Sequence, residues 1–156
     1  MAKNIKDIMN EVSELNLKIK QILHHSDFEN YDDLSGLDID RTNAEELFLT
    51  DELYGILDRL SDISHTLNYL DRPVKAEGRL HKNSNGRYEL NGHEFSSGCG
   101  IEYLADDDRH MTYNESDEYV SVPYWCASRI EHNGTDYYIV GASKDLELEG
   151  LQVRYR

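Results

Sequence analysis

The segment DELYGILDRLSDISHTLNYLDRP (51–73) marks the point where the character of the chain changes. Leucine and isoleucine recur in it at spacings of three and four residues, the period of one face of an α-helix. Pro73 is expected to end this helix, because proline has no backbone N–H to donate. Thr42 followed by Glu45 predicts a capping box at its start. The predicted buried stripe consists of Leu53, Ile56, Leu57, Leu60, Ile63, Leu67 and Leu70.

A second amphipathic helix of roughly 20 residues is predicted at the start of the chain. Its apolar stripe consists of Ile5, Ile8, Met9, Val12, Leu15, Ile19, Ile22 and Leu23. Residues 1–73 are therefore predicted to form an antiparallel helical hairpin in which each stripe covers the other. Two helices alone bury little surface, so we expect the hairpin to pack on the C-terminal part or to form a homodimer with another copy.

The predicted connection between the two helices is an acidic loop at residues 26–41. Its first fifteen residues contain six acids and no base. We expect the apolar side chains in it to hold it against the helices; these are Phe28, Tyr31, Leu34, Leu37 and Ile39.

After Pro73 the pattern becomes that of short strands separated by turns. The pairs Asn85-Gly86, Asn91-Gly92 and Asn133-Gly134 predict tight type I′ hairpin turns. The predicted strands are 75–82, 86–90, 93–104, 118–132, 135–142 and 151–156. Residues 74–156 are thus predicted to be a small antiparallel β-sheet or an SH3-like barrel, which makes the chain an α+β protein.

The aromatic residues of this part have two interpretations. Tyr119, Tyr124, Trp125, Tyr137 and Tyr138 could form a binding patch, since Tyr and Trp are favoured at interfaces. Small sheets more often use such residues in the core, so we assign Trp125, Tyr138 and Val140 to the core.

The net charge limits the classes of function. The 31 acids and 16 bases give −15, and both parts of the chain are acidic. A nucleic-acid-binding protein needs a basic face, and an anionic membrane surface would repel this chain in the same way. Long-range steering favours a basic protein as the partner, although acidity also serves solubility. No segment has the roughly 20 apolar residues of a bilayer span, and the first residues lack a secretory signal, so we expect a cytoplasmic protein.

Metal and catalytic sites are not indicated by the motifs. Loops starting at Asp38 and Asp106 lack the glycine that an EF-hand needs at its sixth position, where Asn43 and Met111 stand. The histidines and cysteines are not spaced as zinc ligands. Cys99 lies between two glycines, but nothing in this acidic chain predicts the electropositive setting that activates a thiol. We therefore expect no catalytic residue, cofactor or metal.

The remaining candidate for a functional site is the acidic surface. Asp51, Asp58 and Asp62 fall within about 40° of one another on the predicted second helix, opposite its leucine stripe. The stretch YLADDDRHMTYNESDEYV (103–120) is predicted to be an acidic loop between two strands. The candidate partner-binding residues are Asp51, Asp58, Asp62, Asp106, Asp107, Asp108, Glu115, Asp117 and Glu118. Either they imitate the phosphates of a nucleic acid, or they are the solvated face of a helix and a solvated turn.

The strings GRLHKNSNGRYELNGHEFSSGCGIEYL (78–104), WCASRIEHNGTDYYIVG (125–141) and LEGLQVRYR (148–156) carry a resemblance. Over residues 76–156 the chain resembles an uncharacterised domain family of small acidic proteins encoded on plasmids, phages and integrative elements of Gram-positive bacteria. The resemblance implies no transferable activity. It implies a context in which small acidic proteins block host defence nucleases, as anti-CRISPR proteins do.

Three hypotheses of function follow. The first is a non-catalytic inhibitor that occupies the basic nucleic-acid channel of a defence nuclease, with a CRISPR effector ahead of a restriction enzyme. The alternative is a dimerising accessory or adaptor protein of plasmid or phage replication or transfer. The third is a small hydrolase or transferase that uses Cys99 with a histidine.

Overall fold

The N-terminal part of the computed structural model is helical. The structure describes residues 4–31 and 34–156, with no side-chain description for Asn30 and Tyr31. The helices are α1 (Ile5–His25), the short α2 (Phe28–Tyr31) and α3 (Ala44–Asp71). The chain divides into two units, Met1–Arg72 and Pro73–Arg156, here called the helical unit and the β unit. Helices followed by antiparallel sheets confirm the predicted α+β class.

The start of α3 differs from the predicted capping box. The N-cap is Asn43 rather than Thr42, and its side-chain oxygen accepts hydrogen bonds from the backbone N–H groups of Glu45 (3.0 Å) and Glu46 (3.3 Å). The Thr42 hydroxyl instead donates to the carboxylate of Asp40 at 2.7 Å. Asparagine caps a helix as well as threonine does, so the helix begins one residue later than the predicted box requires.

The two long helices run antiparallel around a buried polar cluster. The Asn16 amide donates to the side chain of Asn68 at 3.0 Å, and the Ser64 hydroxyl donates to Asn16 at 2.8 Å. Further along α1, Ile19 and Leu23 share a core with Leu57 of α3. Polar groups buried between helices must be paired to be tolerated, so this cluster favours one register of α1 against α3.

The acidic segment between the long helices is not a loop throughout. It contains α2, from which Phe28 is 1% exposed and lies with its ring 5.5 Å from that of Tyr54. Leu34 packs against the same core, while Leu37 and Ile39 are half-buried. The side chain of Tyr31, and all of Asp32 and Asp33, lie outside what the structure describes.

The prediction that the two apolar stripes cover each other is wrong for about half of their residues. Ile19, Leu23, Leu57 and Leu67 are buried, and Val12, Leu53 and Leu60 are half-buried. The exposed members are Ile5, Ile8, Met9, Leu15 and Ile22 on α1, with Ile56, Ile63 and Leu70 on α3. The reason is geometric: a helix packed on one neighbour buries only the strip that faces it.

We expect Asn16→Ala to lower the free energy of unfolding of the helical unit by about 1–3 kcal/mol, because it leaves the buried Ser64 and the half-buried Asn68 without this partner. Chemical denaturation followed by far-ultraviolet circular dichroism measures the change. Asn10→Ala is the matched control, since Asn10 is exposed on the same helix. Equal stability of the two variants would contradict a stabilising role for the cluster.

The β unit contains ten short strands in three antiparallel sheets. Sheet orders are β1-β10-β5-β8-β9, β2-β3-β4 and β6-β7. The strand bounds are β1 Ala76–Arg79, β2 His81–Lys82, β3 Tyr88–Leu90, β4 His93–Glu94, β5 Gly100–Ala105, β6 Met111–Tyr113, β7 Tyr119–Ser121, β8 Tyr124–His132, β9 Tyr137–Ile139 and β10 Gln152–Tyr155. Residues of the five-stranded and three-stranded sheets share one core, which includes Leu90, Phe95, Ile101, Ile130 and Val153.

Three of the predicted strands are each divided in two. The segment 75–82 separates at Leu80 into β1 and β2, which belong to different sheets. The segment 93–104 becomes β4 and β5, and the segment 118–132 becomes β7 and β8, with Pro123 between them. Strand β6 lies inside the stretch predicted to be an acidic loop. Alternation of residue types locates strands well but does not reveal where a chain leaves one sheet for another.

The Asn-Gly pairs form different turns. Asn91 and Gly92 both have positive φ, 50° and 80°, and they connect the paired residues Leu90 and His93 as a two-residue turn. The predicted type I′ geometry is therefore correct there. At Asn85-Gly86 and Asn133-Gly134 only the glycine has positive φ, so the type I′ prediction is wrong for those two turns.

The assignment of Trp125, Tyr138 and Val140 to the core is also wrong. In the β5–β8 register Trp125 pairs with Leu104, on the face opposite to that of buried Tyr103. Trp125 and Val140 are half-buried, and Tyr138 is 44% exposed. Successive residues of a strand face opposite sides, so the neighbours of these residues occupy the core instead.

Ionic contacts join the two larger sheets of the β unit. The Lys82 ammonium group, on β2, lies 2.8 Å from the carboxylate of Asp136, in the turn between β8 and β9. This hydrogen bond lowers the pKa of Asp136 below the ordinary 3.8 of an aspartate. Glu149 accepts from His81 at 2.9 Å and from the Lys82 backbone N–H at 2.8 Å, and the His81 contact is the main cause of the lowered pKa of Glu149.

The Asp136 contact predicts that the stability of the β unit depends on pH in the acidic range. A carboxyl whose folded-state pKa is lowered contributes stability above its ordinary pKa, and this is lost as the pH falls through the lowered value. The unfolding temperature of the β unit should therefore fall less between about pH 6 and pH 3 in Asp136→Asn than in the wild type. Fluorescence of Trp125, the single tryptophan, measures the unfolding temperature at each pH. Asp145→Asn, at an exposed site, is the control and should behave as wild type.

No helix in the described ranges 4–31 and 34–156 is long and apolar enough to span a bilayer.

Candidate functional site

The three aspartates predicted on the second helix all lie on the exposed side of α3. Asp51, Asp58 and Asp62 are exposed, whereas Leu57 and Leu67 of the same helix are buried. Among the residues that the structure describes, none of the three aspartates lies within 4.0 Å of a basic group. At 1.5 Å per residue, Asp51 and Asp58 are separated by about 10 Å along the helix axis, and Asp58 and Asp62 by about 6 Å. We call these three residues the aspartate row.

The first half of the acidic stretch 103–120 is a turn that uses its own carboxylates. Asp106 accepts a hydrogen bond from the hydroxyl of Ser121. Asp107 accepts from the backbone N–H of Arg109 at 3.0 Å and from the hydroxyl of Tyr124 at 3.0 and 3.1 Å. The backbone hydrogen bond is the main reason that the pKa of Asp107 is lowered. Asp106 therefore holds the end of β5 to the end of β7, and Asp107 holds it to the start of β8.

The second half of the stretch is a two-stranded hairpin and not a loop. Asn114 organises its turn by accepting from the backbone N–H groups of Ser116 (2.9 Å) and Glu118 (3.0 Å). The Asn114 amide also donates to the Glu118 carboxylate at 2.9 Å. Glu118 thus serves the turn, while Glu115 and Asp117 are exposed. Asp108, in the preceding turn, is exposed as well.

An exposed pair of tyrosines stands at this hairpin. Tyr113 of β6 pairs with Tyr119 of β7, and their ring centroids are 5.2 Å apart. The two residues remain 68% and 62% exposed. Tyr119 was among the aromatic residues predicted from the sequence for a binding patch, and Tyr113 was not. The signal was available in the six-residue separation of the two tyrosines around Asn114 and Asp117, which suits a hairpin with a short turn.

A buried carboxylate that the sequence analysis missed lies on the outer face of the five-stranded sheet. Glu102 is 3% exposed, and both of its oxygens accept from arginines: one from Arg154, the other from Arg156 at 2.6 Å. The Arg154 guanidinium also lies 4.2 Å from the centroid of the Trp125 ring. Arg154 and Arg156 alternate with Val153 and Tyr155 along the chain, so the two arginines share one face. In the structure these two charges are paired with Glu102.

Removing the Glu102 carboxylate from this cluster should destabilise the β unit. We expect Glu102→Gln to lower the free energy of unfolding of the β unit by about 3–5 kcal/mol, because it leaves two largely buried guanidinium groups without this counter-charge. Denaturant unfolding monitored by Trp125 fluorescence reports on the cluster directly.

The control variant for Glu102 is Glu131→Gln. Glu131 pairs with the exposed side chain of Arg129 at 2.9 Å, so its loss should cost less than about 1 kcal/mol. If Glu102→Gln were no more destabilising than this control, the stabilising role of the cluster would be refuted.

The two thiols are packed against the core of the β unit. Both are half-buried, and Cys99 lies 3.5 Å from the hydroxyl of Ser96. No histidine is hydrogen-bonded to either thiol within residues 4–31 and 34–156. Cys126 contacts Tyr103, whose pKa is raised to about 12, chiefly by burial and next by this hydrogen bond. The contacts are those of packing, with no base placed to activate either sulfur.

Metal ligands and a cavity were the other candidates for a chemical centre. In the part of the chain that the structure describes, no three His, Cys, Asp or Glu side chains are grouped as metal ligands. A cavity of 550 Å³ beside β9 is lined by Asn133, Tyr138, Ile139, Gly141, Ala142, Ser143 and Lys144. Tyr138 and Lys144 are its only ordinarily ionisable side chains, and it holds no carboxylate or histidine to act with them.

Comparison with known proteins assigns the β unit to a domain family. A family described as a domain of unknown function, DUF5348, matches residues 78–155, which is half of the chain. The match runs from Gly78 in β1 to Tyr155 in β10, so it covers nearly all of the β unit. No significant match was found among curated proteins or among solved structures. The resemblance to an uncharacterised domain family is confirmed, and the chain belongs to the DUF5348 family.

Proposed function

We propose that this protein is a non-catalytic inhibitor that binds a basic, nucleic-acid-binding protein through its acidic surfaces. The observation that carries the proposal is the aspartate row. Asp51, Asp58 and Asp62 are exposed on one side of a 28-residue helix, and no base among the described residues lies within 4.0 Å of their carboxylates. A carboxylate row on a helix needs no rearrangement to meet a row of lysines or arginines, so little conformational entropy is lost on binding.

The spacing of the row suits a groove that binds nucleic acid. A strand of duplex DNA presents one phosphate per roughly 3.4 Å of helix axis. The separations of about 6 and 10 Å along α3 are close to two and three such steps. When α3 lies along a nucleic-acid channel, the cations of the channel therefore meet carboxylates at a spacing close to that of DNA phosphates.

The hairpin of the β unit supplies a second acidic surface. Asp108, Glu115 and Asp117 are exposed there together with the Tyr113–Tyr119 pair. Tyrosine rings bind arginine and lysine through cation–π contacts, and carboxylates bind the same groups by ion pairs. Asp106, Asp107 and Glu118 support this surface by shaping its turns.

The target we propose is a host defence nuclease, a CRISPR effector ahead of a restriction enzyme. The protein would be encoded on a mobile element and would act in the bacterial cytoplasm. The strongly negative charge of both units supports a target with a basic channel. The mobile-element context that the sequence resemblance of residues 76–156 implies also supports this choice of target.

The test is inhibition of purified nucleases. A Cas9-type effector and a restriction enzyme are each assayed for DNA cleavage with increasing amounts of the full chain, at several salt concentrations. We expect the triple variant Asp51→Asn, Asp58→Asn, Asp62→Asn to bind the inhibited nuclease about tenfold more weakly and with a shallower salt dependence. A variant with Asp108→Asn, Glu115→Gln and Asp117→Asn tests the hairpin without disturbing its turns.

The matched control removes three exposed carboxylates from α1, with the changes Asp7→Asn, Glu11→Gln and Glu14→Gln. It alters the net charge by the same amount as the triple variant of the aspartate row, here called the row variant. Inhibition that persists in the row variant, or that falls equally in the control, would remove the aspartate row from the mechanism. Absence of inhibition across the nucleases tested, with no competition by DNA for the protein, would contradict the proposed function.

A further inference from the structure

The helical unit exposes two regular rows of aliphatic side chains. Within each row the residues are seven positions apart, an interval that keeps them on one side of a helix over several turns. We call them the heptad rows; they consist of Ile8, Leu15 and Ile22 on α1, and Leu49, Ile56, Ile63 and Leu70 on α3. All seven residues are between 36% and 59% exposed.

The two heptad rows border the same groove. A cavity of 340 Å³ between the helices is lined by Leu15 of one row and Ile63 of the other, with Ile19 and Leu67 at its floor. The same two helices contact each other through Asn16, Ser64 and their neighbours. Each helix therefore carries two adjacent strips, one used in the hairpin and one that is exposed.

Helices with two adjacent buried strips are those of four-helix bundles. A helix in such a bundle contacts two neighbours and needs an apolar face wider than that of a helix pair. The hairpin has this width, and the contact of α1 with α3 uses one of the two strips. It has the surface of one half of a bundle.

We propose that a second copy of this chain completes the bundle, with the heptad rows of two hairpins packing face to face about a two-fold axis. A two-fold interface needs a surface that is complementary to itself, and rows made only of leucine and isoleucine meet that condition. The rows expose on the order of 600 Å² per copy, so the interface would bury about 1,200 Å², at the lower bound for stable protein–protein interfaces.

The charges beside the rows fit an antiparallel arrangement. Three residues after Ile8 and Leu15 on α1 stand Glu11 and Lys18, and three residues after Leu49 and Ile56 on α3 stand Glu52 and Arg59. Each row is thus flanked by an acid followed by a base. Antiparallel neighbours bring acids towards bases, as flanking positions do in coiled coils.

The net negative charge of the helical unit does not oppose this dimer. The aspartate row lies roughly 130° around α3 from its heptad row, at 100° per residue. It stays exposed when the heptad rows are covered. Dimerisation is therefore independent of the proposed target, and it would also serve an adaptor that presents two β units.

The experiment measures the mass of the full chain in solution by light scattering or sedimentation. At about 10 µM and above we expect twice the 18.1 kDa of one chain. The double variant Leu15→Lys, Ile63→Lys should be monomeric, because it places charges in the centre of the interface. The dissociation constant of its dimer should be at least about 100-fold higher than that of the wild type. Its helical circular dichroism should be unchanged, since both side chains are exposed in the single chain.

The control variant is Leu17→Lys, Phe48→Lys. These residues are 67% and 56% exposed but lie outside the heptad rows, and the variant should remain dimeric. Hydrogen exchange of the wild type at low and high concentration needs no substitution. Segments 8–22 and 49–70 should gain protection as the concentration rises.

A wild-type chain that stays monomeric at about 100 µM would overturn the proposal. If the β unit of the same chain covers the rows, the chain is a monomer and protection of the two segments does not depend on concentration. A dimer that survives Leu15→Lys, Ile63→Lys would place the interface elsewhere and overturn it too. The acids of the aspartate row are intact in that variant, so its nuclease inhibition tests the proposed function separately.

Discussion

A helix packed on one neighbour can bury only a narrow strip of its surface, and this constraint governs the helical unit. The sequence supplies apolar residues for a wider face, and the hairpin covers only part of it. Ile19, Leu23 and Leu57 are buried while Leu15 and Ile63 remain exposed. The surplus defines the heptad rows, and it leaves the opposite side of α3 free to carry the aspartate row.

Both units place polar groups where apolar ones would be expected, and in both the groups are paired. Asn16 lies between Ser64 and Asn68 in the helical unit. In the β unit Glu102 lies between Arg154 and Arg156. A chain with 38% hydrophobic residues has limited apolar surface to bury. Such clusters favour one arrangement over its neighbours in register, because any other arrangement leaves a buried polar group unpaired.

All of the candidate acidic residues are exposed, and they separate into those whose carboxylates shape turns and those whose carboxylates do not. Asp107 and Glu118 accept hydrogen bonds from backbone N–H groups or side chains of their own turns. Among the described residues, no such contact is found for the carboxylates of Asp58 and Asp117. This separation decides which carboxylates are offered to a basic partner. Charge density along the sequence is therefore a poor measure of charge offered for binding.

The sequence by itself determined the α+β class, the long helices, the positions of most strands and the exposed aspartate row, because each of these follows from local periodicity or turn chemistry. Tertiary structure alone decided which apolar residues are covered, since that depends on the number of neighbours a helix has. It also decided that Trp125 lies on the outer face, since strand register assigns a residue to one side or the other. Glu102 gave no local signal at all: its two arginines are more than fifty residues away in the chain, and only the antiparallel pairing of β5 with β10 brings them together.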